Sequence, residues 1–246
     1  MTKTLILIPS RMSATRLPGK PLLKINDLSI ISHVFKKAEE ANIGEVVVAT
    51  EDHEILKDVT KNGGRAILTN NNHKTGTDRI FEAFKKLDIK NVDYVLNLQG
   101  DEPNINKDDI INLNNFMINS NSDIGTLAAI IKDNKMLDDK NVVKVVTENA
   151  LNKSNFPIAT NFIRSNFSKK NKNIYHHIGI YSYKTSVLAK FVSLKQTKNE
   201  IENKLEQLRA LDNELKINVA LAKFSPIGVD TKEDYLSIKK IMEYKS

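Results

Sequence analysis

Two kinds of residue in this chain could handle a charged phosphate ligand: cations gathered in one loop, and acids set close behind glycines. The cations are Arg11, Arg16 and Lys20, within Pro9-Ser10-Arg11-Met12-Ser13-Ala14-Thr15-Arg16-Leu17-Pro18-Gly19-Lys20-Pro21-Leu22. Guanidinium groups grip phosphate oxygens in pairs, an ammonium acts as a point charge, and small residues let backbone N–H groups approach. Such a loop either holds a polyanion such as a triphosphate or carries solvated charge. Its place directly after a short apolar run at residues 4–8 favours the first reading. The Gly-Lys-Ser/Thr ending of a Walker loop is absent, and so is a GxGxxG fingerprint.

The acids are Asp101, in Asn97-Leu98-Gln99-Gly100-Asp101-Glu102-Pro103, and Asp230, in Ile227-Gly228-Val229-Asp230-Thr231-Lys232-Glu233-Asp234. A carboxylate at the carboxyl end of a strand can hold a divalent cation, since Mg²⁺ prefers hard oxygen ligands and bridges one or two carboxylates to phosphates. Each Asp could equally cap the helix that follows it. Lys74-Thr75-Gly76-Thr77-Asp78-Arg79 offers small residues for close approach, with Thr77 or Asp78 as an alternative helix cap. His177, in His176-His177-Ile178-Gly179-Ile180-Tyr181-Ser182-Tyr183, reads by itself as a structural hydrogen-bonder. Glu206-Gln207-Leu208-Arg209 reads as a charged helix face over a Leu stripe.

The elements that must position these residues follow from periodicity. Short apolar runs predict strands at residues 4–8, 45–50, 66–68 and 94–98, and helical spacing predicts helices at 30–41, 54–60 and 79–87. Continuous apolar strands alternating with amphipathic helices imply an α/β fold with a mostly parallel sheet flanked by helices. Ligands in such sheets bind beyond the carboxyl ends of the strands, where the loops above begin. Farther on, strands are predicted at 142–147, 178–183 and 217–222, and helices at 201–211 and 232–244. Residues 149–173, rich in Asn, Ser and Lys, read as an exposed excursion. The chain therefore reads as one domain, 1–246, with an inserted subregion at about 149–200.

The 246 residues are 40% hydrophobic and 27% charged, ordinary for a globular protein and against wholesale disorder. With no Cys, disulfides, thiolate metal sites and a Cys nucleophile are excluded. A net charge of +7 admits nucleic acid, an anionic membrane or a phosphorylated small molecule as partner. The apolar run at 5–8 is too short for a signal segment, and no run could span a bilayer, which predicts a cytoplasmic protein with no membrane partner.

The loop from Arg11 to Leu22 has the form RxxxxRLPGKPL, and with Asn97–Pro103, Lys74–Arg79, the His-x-Gly-Ile-Tyr-x-Tyr strand and Leu205–Arg209 it resembles the 3-deoxy-manno-octulosonate (Kdo) cytidylyltransferases, a family of Rossmann-like sugar nucleotidyltransferases. The resemblance covers nearly the whole chain. It implies transfer of CMP from CTP to an acidic 3-deoxy-2-keto sugar, with release of pyrophosphate, for lipopolysaccharide synthesis in a homodimer that takes no nucleic acid. The implied catalytic residues are Arg11, Lys20, Asp101 and Asp230. Ser10, Arg11, Arg16, Lys20, Thr75, Gly76, Thr77, Arg79 and Gln99 would bind CTP, and Gln99, His177, Tyr181, Glu206 and Gln207 the sugar. Asp101 and Asp230 would bind Mg²⁺, placed between the α-phosphate and the attacking hydroxyl, and Glu102 would support the loop. In the Asp230 motif Lys232 stands where the family has Pro and Tyr235 where it has Leu; neither change touches the ligand.

One departure concerns the sugar. Where the family has Ser-Arg-x-x-Ile-Pro-Tyr/Trp, this chain has Ser154-Asn155-Phe156-Pro157-Ile158-Ala159-Thr160. Losing a charged partner for a carboxylate costs roughly 1.5–3 kcal/mol, and Arg164 is a candidate replacement. Asn155 keeps open the same transfer to 8-amino Kdo, a sialate or another nonulosonate. From a different class, a basic nucleic-acid-binding protein has against it the 6% aromatic content and the lack of a binding module.

Overall fold

The computed structural model describes residues 2–13, 16–164 and 172–244. The chain divides into two compact units, residues 1–110 with 226–246, and residues 111–225. The inserted subregion expected at about 149–200 falls inside the second unit. No helix among the described residues is long and apolar enough to cross a membrane.

The first unit opens with β1 (Thr4–Ser10), whose Leu5 to Ile8 are buried as an unbroken apolar run. After the basic loop come a 3₁₀ turn at Lys20–Leu22 and a small hairpin of β2 (Lys24–Ile25) and β3 (Leu28–Ser29). Helix α1 (Ile30–Glu40) buries Ile30, Ile31, Val34, Phe35 and Ala38, and the Ser29 side chain caps it by accepting from the Ser32 N–H. Then follow β4 (Gly44–Thr50), α2 (His53–Lys61), β5 (Ala66–Leu68), α3 (Gly76–Leu87) and β6 (Tyr94–Asn97). The strands pair in the order β6-β1-β4-β5, all parallel, with Ser10 opposite Thr50 and Leu7 opposite Asn97. That register sets the ends of β1, β4 and β6, and the loops leaving them, on one edge of the sheet. The unit boundary falls within α4 (Lys107–Ser120).

The second unit contains β7 (Ile124–Ala129), α5 (Lys135–Asp138), β8 (Lys144–Thr147), β9 (Ala159–Ile163) and β10 (Ile174–Lys184). It continues through α6 (Thr185–Ser193), α7 (Lys198–Asn203), α8 (Leu208–Asp212) and β11 (Ile217–Leu221). β11 and β7 are parallel, whereas β7-β10, β10-β8 and β8-β9 are antiparallel. The expected excursion thus contains a paired strand, β9, and its residues 165–171 lie outside the described set. The single helix expected at 201–211 is two, because Lys204 adopts a left-handed φ of 53° that ends α7. The chain returns to the first unit with α9 (Lys232–Glu243), which packs Ile238 with Ile25, Ile30 and Val229.

Candidate nucleotide-binding site

A cavity of about 340 Å³ opens in the first unit at the strand edge described above. Pro9, Ser10, Arg11, Ser13, Arg16 and Lys20 contribute from the loop after β1, Lys74 to Gly76 and Arg79 from the start of α3, Gln99 to Asp101 from the loop after β6, and Asp230 from the approach to α9. Of the residues expected to meet the nucleotide, all but Thr77 line it; Thr77 is buried behind the wall.

The basic loop is shaped locally. Its Met12 N–H donates to Asp52 Oδ2 at 2.8 Å, and the Gly19 N–H donates to the Met12 carbonyl at 3.1 Å. Gly19 has φ 72°, a conformation easy only for glycine, and it leads into the 3₁₀ turn that Pro21 stiffens. Lys20 is thereby aimed at both acids. Its Nζ donates to Asp101 Oδ2 at 2.6 Å, to Asp230 Oδ1 at 3.1 Å and to the Val229 carbonyl at 2.8 Å. Burial pulls the ammonium pKa down, but the two carboxylates outweigh it and hold it above the usual lysine value. Arg16 donates to Asp230 Oδ2 at 2.8 Å in an exposed pair, while Arg11 is solvent-exposed on the rim.

Neither acid is spent on a helix cap. Thr231 caps α9 in a reciprocal box with Asp234, leaving the Asp230 carboxylate for the cations. α4 begins at Lys107, six positions beyond Asp101, with the Asp108 N–H on Asn106 Oδ1. The Val229 N–H donates to the Asp101 carbonyl at 2.9 Å, so the two acid-bearing segments are joined through backbone. A Cβ at Gly100 would lie 2.9 Å from the Pro9 carbonyl, so only glycine lets the β6 loop pass this close to β1. Beside it, burial and then the Asp101 charge push Glu102 up to about 8, so its carboxyl keeps a proton at neutral pH.

These two carboxylates suit a hard divalent cation, because a cationic group already sits within hydrogen-bond distance of both. No cluster of three or more His, Cys, Asp or Glu suited to a metal occurs among the described residues.

The start of α3 forms the opposite wall. Thr75, rather than Thr77 or Asp78, is its N-cap, accepting from the Asp78 N–H at 3.1 Å. The helix N-terminus therefore opens on the cavity, a favourable end for anions. Arg79 is not a free cation: it is 3% exposed, and its guanidinium donates to Glu51, to Thr69 Oγ1 at 2.7 Å and to the Asn70 carbonyl at 3.3 Å. It braces the loops after β4 and β5. His73 also lines the cavity, its Nε2 on Glu82. Burial raises that carboxyl, but donors from Lys86, His73 and the Asn70 N–H prevail and bring it to about 2. His73 and Lys74 were missed as site residues, although their place directly before Thr75-Gly76 was a signal; Glu51 and Glu82 carry no such signal, since each reads as surface acid.

The residues expected at the sugar lie, apart from Gln99, in the second unit. His177 Nε2 meets Thr126 Oγ1 at 3.0 Å, and that hydroxyl donates onward to the Ile180 carbonyl at 2.7 Å. The histidine is buried, and burial, then His176, lowers its pKa to about 3, so it is neutral. Tyr181 lies four positions on, on the same face of β10 beyond a register shift between Ile178 and Tyr181, with ring centres 5.5 Å apart. Burial, then Tyr183 and Glu206, raise the Tyr181 hydroxyl well above its usual value. Gln207 is the N-cap residue of α8. Arg209 is committed elsewhere, to a buried pair with Glu200 at 2.8 and 2.5 Å. Arg164 does not take the place of the missing arginine, because its guanidinium donates to the carbonyls of Lys140, Asn141, Asn203 and Lys204. Asn155 instead closes its own loop, donating to the Ala150 carbonyl at 2.7 Å and accepting from the Asn152 N–H at 2.8 Å.

Comparison with known proteins finds relatives along nearly the whole chain. The family model for cytidylyltransferases matches residues 5–217. The 3-deoxy-manno-octulosonate cytidylyltransferase of Rhodopseudomonas palustris strain BisB18 is 44% identical over 250 residues, covering 99% of each chain. That of Thermodesulfovibrio yellowstonii is 44% identical over 243 residues, covering 94% of each. A solved structure of CMP:2-keto-3-deoxy-manno-octonic acid synthetase complexed with CTP superposes with a TM-score of 0.90 at 33% identity over all of both chains. With the cation loop, the paired acids and the strand edge placed as described, this chain belongs to the cytidylyltransferase family, among its 3-deoxy-manno-octulosonate cytidylyltransferases.

Proposed function

We propose that this protein joins CTP and Kdo to give CMP-Kdo and pyrophosphate. The observation that carries the reading is the meeting of Lys20 with Asp101 and Asp230 in a cavity also lined by Arg11, Arg16 and the N-terminus of α3. The anomeric hydroxyl oxygen of the sugar bonds to the α-phosphorus of CTP as the bond to the bridging oxygen breaks. Pyrophosphate leaves with that electron pair, and the hydroxyl proton passes to solvent. Arg11, Arg16 and Lys20 neutralise the triphosphate and the departing pyrophosphate, so the barrier falls through positioning and charge compensation. Asp101 and Asp230 would hold Mg²⁺, which when bound supplies further charge stabilisation at the phosphates and acidifies a nearby hydroxyl. The Pro9–Ser10 end of β1 and the Thr75–Gly76 turn would receive the nucleoside, where Gly76 lies against the Pro9 ring. In the second unit, neutral His177 would serve as a hydrogen-bonding group and Tyr181, Glu206 and Gln207 as its companions toward the sugar.

The test is pyrophosphate release from CTP, Mg²⁺ and a panel of Kdo, 8-amino Kdo and sialate. Release confined to Kdo supports the proposal. Release only with another sugar, or with none, overturns it. Asp101→Asn and Asp230→Asn should abolish turnover more than they weaken nucleotide binding.

A further inference from the structure

The geometry points to a second task for Lys20: its ammonium competes with a divalent cation for the Asp101–Asp230 pair, so that metal entry is coupled to arrival of a triphosphate. This rests on the metal reading above and goes beyond it. An ammonium has three donors, and all three of Lys20 are used, on Asp101, Asp230 and the Val229 carbonyl. In that position it offers nothing to a phosphate, and it covers one oxygen of each carboxylate that a metal would need. A dication and an ammonium cannot share these oxygens without like-charge repulsion, which water screens least on the Lys20–Asp101 side, where the side chains are 14% and 29% exposed. The second Asp230 oxygen is met by Arg16 in an exposed pair, a weak contact that a metal or phosphate displaces readily. A triphosphate supplies what resolves the competition: anionic oxygens that draw Lys20 off the carboxylates as the cation enters with the nucleotide. Lys20 is then a positioning residue that keeps the two acids together and charge-balanced until both partners arrive.

The test uses Mn²⁺ as a paramagnetic probe, titrated into the full-length protein without nucleotide and followed by electron paramagnetic resonance. Lys20→Met should bind Mn²⁺ about tenfold or more tightly than wild type, since removing a cation from a poorly screened site favours another cation. Lys20→Arg, which keeps the charge, should stay close to wild type. Adding Asp101→Asn to Lys20→Met should abolish the gain. Loss of a merely structural contact would leave metal affinity unchanged or lower it. Lys20→Gln, which keeps a donor toward the carboxylates, provides the same comparison should Lys20→Met not fold. Folded Lys20→Met and Lys20→Gln proteins that bind Mn²⁺ no more tightly than wild type overturn the inference. If Mn²⁺ binding is indifferent to Asp101 in every protein, with or without CTP, the metal reading itself fails, and the inference with it.

Discussion

Glu51→Gln separates a brace from a ligand contact. Glu51 does not line the cavity, yet it receives the guanidinium of Arg79, which does. Arg79 is almost fully buried, and its other two acceptors, Thr69 Oγ1 and the Asn70 carbonyl, are neutral. Removing one partner of a buried pair costs about 3–5 kcal/mol, because the other charge stays buried. Here Gln keeps the shape and one acceptor, the Glu51 side chain is 16% exposed, and Thr69 and Asn70 remain, so about 2 kcal/mol is the better figure. For a chain of this length that is a fall of about 4–8 °C in the thermal midpoint. The loop between β5 and α3 should loosen as well, raising the KM for CTP severalfold with a smaller change in kcat. The assays are thermal unfolding by circular dichroism and steady-state pyrophosphate release. A variant with wild-type stability and wild-type KM would refute the brace. Arg79→Lys with an unchanged midpoint and a raised KM would show instead that the guanidinium acts on the nucleotide directly.

The other expectations concern the sugar side and the close approach of backbones. His177 is held at about 3 in the folded protein against 6.5 in the unfolded chain, so between these values the unfolded state binds the extra proton. Its contribution is complete above pH 6.5 and is lost as pH falls, by about 1.4 kcal/mol per unit. His177→Gln should therefore flatten the stability-versus-pH curve from about pH 6.5 to about 5, measured by urea unfolding, and an unchanged slope would count against a neutral buried histidine. Gly100→Ala forces a methyl to within 2.9 Å of the Pro9 carbonyl, and should cost about 1–3 kcal/mol and impair turnover by shifting Asp101. Wild-type stability in that variant would mean the two loops part without cost. Arg209→Met should lose about 2–3 kcal/mol, because Glu200 loses its charged partner and keeps only the Gln196 amide and the Thr197 N–H as donors, and a double-mutant cycle with Glu200→Gln, read by denaturant unfolding, should show the two side chains coupled.

The parallel strands of the first unit were legible because strands covered on both faces are continuous apolar runs, as at Leu5 to Ile8 and Val46 to Val48. The cation loop and Asp101 stood out because charged residues directly follow the apolar runs of β1 and β6, whereas Asp230, nine residues beyond β11, stood out only by its place just ahead of a helix. Residues 107–129 went unread: α4 carries Asn112, Asn114 and Asn115 among its apolar positions, which blurs the helical period. What Arg79 does could not be read either, since a motif arginine looks the same whether it faces a ligand or, as here, Glu51. Lys204 gives no sequence warning of the left-handed turn that splits 201–211. Nor does sequence reveal that His177 is neutral, a property made by burial and by the Thr126 hydroxyl.

The central claim is that the cations of the β1 loop and the acids at Asp101 and Asp230 act together on CTP and Kdo. Mass spectrometry of the products formed from each of the four nucleoside triphosphates with Kdo and Mg²⁺ tests it most directly. A CMP-Kdo product with CTP, lost in Asp101→Asn and Asp230→Asn proteins that still bind CTP, is the predicted result. A product with no CMP-Kdo mass, or CMP-Kdo formed undiminished by those variants, would contradict it.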